Sequence, residues 1–469
     1  MDRRYELRRE MMLADCEVRP EVVEGMLERL GEFVRPFADG LSEAEQRAHS
    51  QEYVAGLTSK LERKNVESIA YLHDQDRRAL QHFIGESPWD HRPLAKELAR
   101  QVGQELGQGD GVIVFDPSAF PKKGSESVGV TRQWCGRLGK VENCQVGVFM
   151  GYVSRVEQVL VDMRLYLPKE WAQDKKRREK CHVPSEVRFQ TRHELALDML
   201  QETGTLLPHT WVAGDDEMGR SSRFRRDLRD LNERYFLAVP SNTTIRDLQV
   251  PAPEYSGRGR KPKRPFEQVR RWMQSLSDEE WTRIDVRDGE KGPLQVEIVS
   301  RRVQAHTDTR KVGPEEMLVV IRSPDEQGGT KHDYYLSNAP RRTRLKEFAR
   351  VAVAEHRVEE CIKRAKSEAG LADYEVRNWF GWHHHVILSL IATWFLVQET
   401  RRGRTYTPAI TLPQVRASIA DLLQHALGTN IPECIARNAT RRLKRNEQAR
   451  FHHWKSRKRL PPLKNRMRT

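Results

Sequence analysis

Two aspartates that follow apolar runs are the first candidates for chemistry in this sequence. Asp116 follows the run at 112–115 and Asp215 follows the run at 211–214, so each aspartate is predicted to stand at the carboxyl end of a central strand. In open α/β sheets, functional sites lie at the carboxyl ends of strands, where neighbouring strands bring their last residues together. Two carboxylates that meet there repel each other unless a cation intervenes, and hard oxygen ligands favour Mg²⁺ or Mn²⁺. The pattern therefore predicts a divalent-metal site, with a turn or a helix cap as the alternative role for each aspartate.

A predicted helix downstream carries a third carboxylate and a lysine. Glu359 and Lys366 are seven residues apart, or two helical turns, so they share one face, and Glu355 lies one turn earlier on the same side. A carboxylate that completes a metal site, beside a lysine aimed at a phosphate, is chemically sensible. The alternative is a solvated face of glutamates and lysines, and the spacing alone does not decide between the two.

The net charge of the chain is concentrated near its carboxyl end. The 469 residues include 81 Lys and Arg against 67 Asp and Glu, which gives a formal charge of +14. Residues 437–469 hold thirteen Lys and Arg and one acid, so they carry +12 and leave +2 for the other 436 residues. Basic side chains around an aromatic one, here Trp454, suit phosphate contact and base stacking. We therefore predict a DNA-binding tail, with a solubilising tail as the alternative.

The predicted DNA contacts form two sets. In the tail they are Arg441, Arg442, Lys444, Arg445, Lys455, Arg457, Lys458 and Arg459. In a loop rich in Gly and Pro they are Arg258, Arg260, Lys261, Lys263 and Arg264. Because such contacts release counterions, the affinity for DNA should depend strongly on salt, and deleting the tail should flatten that dependence.

Membrane, secreted and disulfide-bonded classes of protein are disfavoured. The first ten residues are highly charged and no signal-like apolar segment follows them. The longest apolar run, at 386–397, is shorter than the roughly 20 residues that a bilayer needs, so it predicts a buried helix. Six cysteines without a C-x-x-C pair indicate a reduced, cytosolic location. Zinc binding by Cys181 and His182, or by the histidines at 383–385, lacks the usual spacing of structural zinc sites.

The order of the elements predicts an α/β protein with five regions. Residues 1–105 are predicted to be helical, and 106–240 to form a mixed sheet with helices. Residues 241–340 are predicted to be β-rich and contain the basic loop. Residues 341–400 return to helix and include Glu359, and 401–469 are helical and basic.

Several blocks of this sequence resemble bacterial insertion-sequence transposases. The resemblance is to the DDE superfamily endonucleases, within the IS-four-like class and its seven-hundred-and-one-type branch. It covers most of the chain and is most specific at 116–147. The similar blocks are DPSAFPKKG at 116–124, SVGVTRQWCG at 127–136, GKVENCQVG at 139–147, WVAGD at 211–215, YFLAVP at 235–240, GRGRKP at 257–262, VEECIKRAK at 358–366, GL at 370–371, YEVRNW at 374–379 and WHHH at 382–385.

The resemblance implies a ribonuclease H-like core with a β-rich insertion between the second Asp and the Glu. It implies Asp116, Asp215 and Glu359 as the catalytic, metal-binding triad, with two Mg²⁺ or Mn²⁺ ions and with Lys366 as a further catalytic residue. Asp215 is preferred to Asp216 because the aspartate of the family stands four residues before a glycine, here Gly219. Glu360 is the alternative third carboxylate.

The chain departs from the family pattern at two places beside the triad. Met218 replaces an aromatic residue, and His356 replaces a Trp three residues before the Glu.

The resemblance also implies a function, which is cut-and-paste transposition by metal-dependent cleavage and strand transfer at DNA ends. The expected partners are double-stranded DNA, as terminal inverted repeats and as target, and a second copy of the chain in the DNA complex. The N-terminal helices would recognise ends or mediate dimerisation, and the expected location is the bacterial cytoplasm, on the nucleoid. The alternatives are a catalytically inactive DNA-binding protein of the same fold and a nuclease of that fold that does not transpose.

Overall fold

The computed structural model describes residues 3–73, 77–255, 257–258, 263–289, 292–325, 329–426 and 432–457, and it confirms the α/β class. The described helices are α1 (Arg3–Ala14), α2 (Pro20–Val23), α3 (Met26–Ala38), α4 (Ala44–Thr58), α5 (Val66–Leu72), α6 (Arg77–Gly85), α7 (Arg92–Leu106), α8 (Lys169–Gln173), α9 (Lys175–Lys180), α10 (Arg192–Glu202), α11 (Asp216–Arg220), α12 (Ser222–Asp230), α13 (Val269–Gln274), α14 (Leu345–Glu368), α15 (Trp379–Tyr406), α16 (Leu412–Ala426) and α17 (Pro432–Ser456). The described strands are β1 (Val112–Pro121), β2 (Thr131–Cys135), β3 (Lys140–Val153), β4 (Gln158–Leu165), β5 (Trp211–Gly214), β6 (Tyr235–Ala238), β7 (Thr244–Asp247), β8 (Glu267–Gln268), β9 (Thr282–Gly289), β10 (Gly292–His306), β11 (Val312–Pro324) and β12 (Thr330–Ser337).

One mixed sheet connects the described strands in the order β2-β3-β1-β5-β6-β12-β11-β10-β7-β8, with β4 beside β3 and β9 beside β10. β1 runs antiparallel to β3 and parallel to β5, and β5 runs parallel to β6. The β-rich stretch predicted at 241–340 contains β7 to β12, and β12 pairs with β6. The strands of that stretch therefore extend the same sheet.

The central strand β1 determines where Asp116 lies. Its first four residues are buried and mostly β-branched, which suits a strand covered on both faces. β1 continues to Pro121, so the prediction that it ends at Asp116 is wrong. The antiparallel ladder pairs Asp116 with Phe149 and continues, whereas the parallel ladder with β5 stops at Phe115 and Gly214. Asp116 is therefore the first residue of β1 beyond its pairing with β5.

Helix α15 forms the centre of the helical layer. Among the described helices it alone is long and apolar enough to cross a bilayer by length and composition. However, 94% of its apolar 18-residue stretch is buried inside the protein. The buried helix predicted at 386–397 is confirmed. Arg29 of α3 binds the carboxylate of Glu399 with two nitrogens, at 2.8 and 2.7 Å, and this bidentate pair joins the N-terminal helices to α15.

The described part of the basic C-terminal segment is a helix with a buried side. Leu443, Phe451 and Trp454 of α17 are buried, and the helix packs against α1 and α2. Because Trp454 is only 6% exposed, the expectation that it stacks on nucleic-acid bases is wrong. Deleting the segment would expose apolar surface, so such a deletion would change folding as well as charge.

Gly219 sets the position of the short helix α11, which begins directly after Asp215. A Cβ atom at Gly219 would lie 1.9 Å from the carbonyl oxygen of Ala238 in β6. Only glycine permits this approach between helix and strand. Because Asp215 is the N-cap of α11, the same contact holds that aspartate at the end of β5.

We expect Gly219→Ala to lower the free energy of unfolding by about 1–3 kcal/mol, because the added methyl group must displace backbone. The control is Gly31→Ala in α3, where nothing lies within 4 Å of the added Cβ and where alanine favours the helix. Urea denaturation of both variants measures the difference. Equal stability of Gly219→Ala and the wild type would contradict the contact with β6.

Candidate active site

Asp116 and Asp215 form a pair of partly buried acids at the adjacent ends of the β1–β5 ladder. Burial raises the pKa of the Asp116 carboxyl to about 7, and the charge of Glu359 acts in the same direction. Burial likewise raises the pKa of Asp215 to about 7, with Asp116 as the next largest cause. Each acid is thus poorly solvated and close enough to another acid to feel its charge. Such a pair suits a bound cation.

Asp215 has a local structural role as well. One of its carboxylate oxygens accepts a hydrogen bond from the backbone N–H of Met218 at 3.0 Å, which caps α11. The helix-cap alternative is therefore correct for this residue, and the second oxygen is left for other contacts. The neighbouring Asp216 is exposed and paired with Arg220 at 3.3 Å, so it points away from Asp116.

Helix α14 is fixed to the sheet at both of its ends. Near its start, the indole of Trp211 in β5 donates a hydrogen bond to Glu347 at 2.9 Å. Near its end, the ammonium of Lys366 donates to the hydroxyl of Ser118 in β1 at 2.9 Å. Between these points, a Cβ at Gly151 would lie 2.6 Å from a methyl group of Val358, so glycine in β3 lets the helix approach closely. These contacts fix the position of α14, and so of each of its side chains, along the strands.

Glu359 lies on the open side of this arrangement. Its side chain is 63% exposed, and a carboxylate oxygen lies 3.7 Å from Nδ1 of His356. The interaction between the two groups lowers the pKa of Glu359 and raises that of the imidazole. Its charge still reaches Asp116. Glu360 is exposed and pairs with Arg364 at 3.8 Å, so that side chain is directed away from the sheet.

Glu355, one turn before Glu359, is the other acid close to the two aspartates. Burial raises its pKa well above the ordinary value, and the charges of Asp215, Glu359, Asp333 and Asp116 add to this effect in that order. Within the described part of the chain, no hydrogen bond or ion pair holds its carboxylate. The sequence places Glu355 on the same side as Glu359, but nothing in the sequence shows that it is the more enclosed of the two.

Lys366 supplies a positive charge that acts on Asp116. Its ammonium group lies 4.6 Å from the centre of the Phe120 ring as well as against Ser118. Burial lowers the pKa of this lysine, and the charge of Asp116 opposes that effect. The residue is half-buried beside Asp116, which is where a lysine that contacts a bound phosphate would lie.

The donor set fits a hard divalent cation in its chemistry. Among the described residues, no three His, Cys, Asp or Glu side chains already converge closely enough to hold one ion. The acids at this site are nevertheless oxygen ligands of the kind that Mg²⁺ and Mn²⁺ prefer, and no ion pair neutralises Asp116, Asp215 or Glu355 among the described residues. An ion bound between them would relieve the repulsion that raises their pKa values.

The histidines and cysteine considered for zinc are structural. Burial lowers the pKa values of His383, His384 and His385 to about 3, 4 and 3, and each ring bonds to a backbone carbonyl. His384 also stacks on Trp89, with ring centres 3.5 Å apart. The thiol of Cys181 is buried and faces the carbonyl of Glu126 at 3.5 Å. The sequence-based preference for core histidines over zinc ligands is confirmed for these residues.

The predicted DNA contacts of the basic loop lie only partly within the described residues. Arg260 and Lys261 lie outside them. Arg258 and Lys263 are exposed, whereas the guanidinium of Arg264 donates a hydrogen bond to the carbonyl of Val250.

The predicted DNA contacts of the C-terminal segment also lie only partly within the described residues. Lys458 and Arg459 lie outside the described residues, as do the side chains of Arg441, Arg442 and Arg445 on α17. Lys444 lies 3.5 Å from a carboxylate oxygen of Glu17, whereas Lys455 and Arg457 are exposed.

A third basic surface follows Asp215 directly, and the sequence reasoning missed it. Arg220, Arg223 and Arg226, on α11 and α12, have side chains that are 68%, 64% and 63% exposed. Their ion pairs with nearby acids are exposed and therefore weak. The run SRFRRDLRD at 222–230 was a visible signal, but the larger charge of residues 437–469 obscured it.

Comparisons with known proteins show the family to which the chain belongs. Residues 36–293 match the family model described as DDE superfamily endonuclease, which is more than half of the chain. Over 196 residues the chain is 27% identical to a probable transposase for insertion sequence element IS701 from Microchaete diplosiphon, across 41% of this chain. The match spans about half of that relative, 49% of its length.

A cryo-EM structure of the piggyBac transposase synaptic complex with hairpin DNA aligns with 90% of this chain and 85% of its own, at 8% identity and a TM-score of 0.38. That similarity is too low to carry an argument. The resemblance drawn from the sequence blocks is confirmed by the family model and the IS701 relative. Because the family model covers more than half of its length, the chain belongs to the DDE superfamily endonucleases.

Proposed function

We propose that the protein is a DDE transposase that cleaves transposon ends and joins them to target DNA with divalent metal ions. The observation that carries the proposal is the pair Asp116 and Asp215, two poorly solvated acids beyond the β1–β5 ladder with pKa values raised to about 7. Helix α14 carries Glu359 and Lys366, and the charges of both act on Asp116. The IS701 relative is named as a transposase, which supports this choice among endonuclease functions.

We propose a ribonuclease H-like arrangement for the catalytic core. The order β4-β3-β1-β5-β6 supports it, because three antiparallel strands are followed by two that run parallel to β1. In this view residues 1–105, 106–240, 241–340, 341–400 and 401–469 are the N-terminal helical region, the first core segment, the insertion, the second core segment and the basic C-terminal region. The pairing of β12 with β6 makes the insertion an extension of the core sheet.

Each side chain at the site has a distinct task in this reaction. Asp116, Asp215 and Glu359 would hold two Mg²⁺ or Mn²⁺ ions. Such ions, when bound, activate a water or a 3′-hydroxyl and stabilise the leaving oxygen. Lys366, fixed by Ser118 beside Asp116, would bind a non-bridging oxygen of the scissile phosphate and orient it. The cap that Asp215 makes on α11 would keep its free oxygen aimed at the site.

The DNA would approach over the exposed arginines of α11 and α12. The 258–264 loop and the exposed Lys and Arg side chains of the C-terminal segment would make additional contacts. Phosphate contacts of this kind hold the duplex without reading its sequence. Joining two transposon ends implies at least a dimer in the DNA complex, and such a protein would act on nucleoid DNA in the cytoplasm.

Two other functions are separable from this one by experiment. A catalytically inactive DNA-binding protein would bind an end-bearing oligonucleotide without metal-dependent nicking. A nuclease that does not transpose would nick it but would not transfer the 3′ end into a second duplex. The unpaired acids at Asp116 and Asp215 favour an enzyme over a binding protein, because an uncompensated buried acid lowers stability.

We expect Asp116→Asn and Asp215→Asn to reduce cleavage and strand transfer by at least about 10²-fold, because each removes a negative charge that stabilises the reacting centre. DNA affinity in the absence of metal should be retained. Asp216→Asn is the matched control and should keep activity, since Asp216 is exposed and paired with Arg220. Strand transfer at the wild-type rate by either variant would overturn the assignment.

We expect the stabilisation of the protein by Mg²⁺ to grow with pH. The two aspartyl groups are protonated in the folded state up to about pH 7 but ionise near 3.8 when unfolded, so folding binds protons between these values. Without metal, these groups therefore lower stability as the pH rises through that window. Because a metal must displace the protons, the rise in Tm on adding Mg²⁺ should be larger at about pH 8 than at about pH 6.

Thermal unfolding at both pH values, with and without Mg²⁺, measures this effect. Asp116→Asn should raise the metal-free Tm at the higher pH and remove most of the response to Mg²⁺. A pH-independent response in the wild type would count against metal binding by these two aspartates.

We expect the double variant Arg220→Gln, Arg223→Gln to weaken DNA binding and to lower the salt slope by about 1 for each phosphate that the protein no longer neutralises. The control is Arg341→Gln, Arg342→Gln. Those residues follow β12 and lie at the end of the sheet opposite Asp215, because the last residues of β12 pair with the first residues of β6. Fluorescence anisotropy across a salt series measures both variants. Equal slopes for the two would contradict the proposed DNA path.

A further inference from the structure

We propose that Glu355 is a fourth metal-ligating carboxylate, which acts on the Asp215 side of the site. The inference deepens the proposed function and rests on it. Neither the family pattern nor the spacing of the triad gives this residue a role. Three features of Glu355 support the assignment. They are its place on the sheet-facing side of α14, its position along the strands, and its surroundings.

Glu355 lies in the row of α14 side chains that face the sheet. The buried members of this row recur at intervals of three and four residues, and they are Phe348, Val351, Ala352, Val358, Ile362 and Ala365. Position 355 continues the spacing between Ala352 and Val358, so an apolar side chain would be expected there. A carboxylate in such a row lowers stability unless it has a partner or a ligand.

The hydrogen bond between Trp211 and Glu347 gives an estimate of the position of Glu355 along the strands. This hydrogen bond marks a common level of β5 and α14. From this level both elements run toward the site, because Lys366, further along α14, binds Ser118 near the end of β1. Helix and strand rise about 1.5 and 3.3 Å per residue, so Glu355 lies about 12 Å beyond Glu347 and Asp215 about 13 Å beyond Trp211. Measured from this anchor, the backbone of Glu355 and that of Asp215 are at similar distances along the strand direction.

The surroundings of Glu355 agree with this position. After burial, the charge of Asp215 is the largest cause of its raised pKa, ahead of Glu359, Asp333 and Asp116. Among the described residues, nothing donates a hydrogen bond to its carboxylate. Glu359 differs, because it is 63% exposed and lies 3.7 Å from the imidazole of His356. Glu355 is thus the enclosed, unpartnered acid that α14 directs at the aspartates.

Charge balance also favours four carboxylates. Two divalent cations carry four positive charges, and Asp116, Asp215 and Glu359 supply only three negative ones. Glu355 supplies the fourth. Lys366 is then free to neutralise phosphate rather than excess acid. The ligand chemistry is that of a hard divalent cation, because every donor is a carboxylate oxygen.

Counting Mn²⁺ bound to the full chain tests this assignment, by calorimetry and by the electron paramagnetic resonance signal of free Mn²⁺. We expect two ions in the wild type, and in Glu355→Gln the affinity for one of them should fall about 10-fold or more. The metal-free Tm of this variant should rise, since an enclosed acid is removed. The matched control is Glu360→Gln on the same helix, whose exposed carboxylate pairs with Arg364. It should bind Mn²⁺ as the wild type does.

A second variant protects the test against a change in folding. Glu355→Asp keeps the carboxylate but withdraws it by one methylene, so it should lower the affinity for the same ion by a smaller factor than Glu355→Gln. Two Mn²⁺ ions bound to Glu355→Gln with wild-type affinity would overturn the assignment. Failure of the proposed function would look different, because the wild type and Asp116→Asn would then both bind no Mn²⁺.

Discussion

Repulsion among acids that water solvates poorly is the interaction on which the rest of this structure depends. Asp116 and Asp215 come together because two parallel strands stop pairing at the same level, and burial raises both pKa values to about 7. A fold would not keep such a pair for stability, since replacing either acid by a neutral residue would relieve the repulsion. The pair is therefore best explained by a ligand, and the neighbouring elements are arranged to keep both acids in place.

The precision of the site comes from close backbone contacts rather than from bonds to the acids. Gly219 allows α11 to lie against β6 and so fixes Asp215, and Gly151 allows α14 to lie against β3. The bonds of Trp211 to Glu347 and of Lys366 to Ser118 then prevent α14 from sliding along the sheet. A shift of α14 by one helical turn would bring Glu359 to the position that Glu355 now has along the sheet. The position of the helix along the sheet therefore decides which glutamate faces the aspartates.

The sequence predicted the strands of the core, and it yielded the candidate residues of the site, because both depend on local patterns. Apolar runs mark β1 and β5, and the spacing of Glu359 and Lys366 marks one face of α14. The pattern could not show that β1 continues past Asp116, since that depends on the distant partner β3. Nor could it show that Trp454 is buried, because α17 packs against helices at the other end of the chain. Long-range packing decided each of these outcomes.

The same limit explains why Glu355 and Glu359 could not be separated in the sequence. They share a helical face, and only their neighbours distinguish them. On the open side of α14, Nδ1 of His356 lies 3.7 Å from the carboxylate of Glu359. Glu359 thus has a titratable neighbour and is largely exposed, whereas among the described residues nothing donates a hydrogen bond to the carboxylate of Glu355. The surroundings of the two glutamates therefore favour Glu355 as the carboxylate on the Asp215 side of the site.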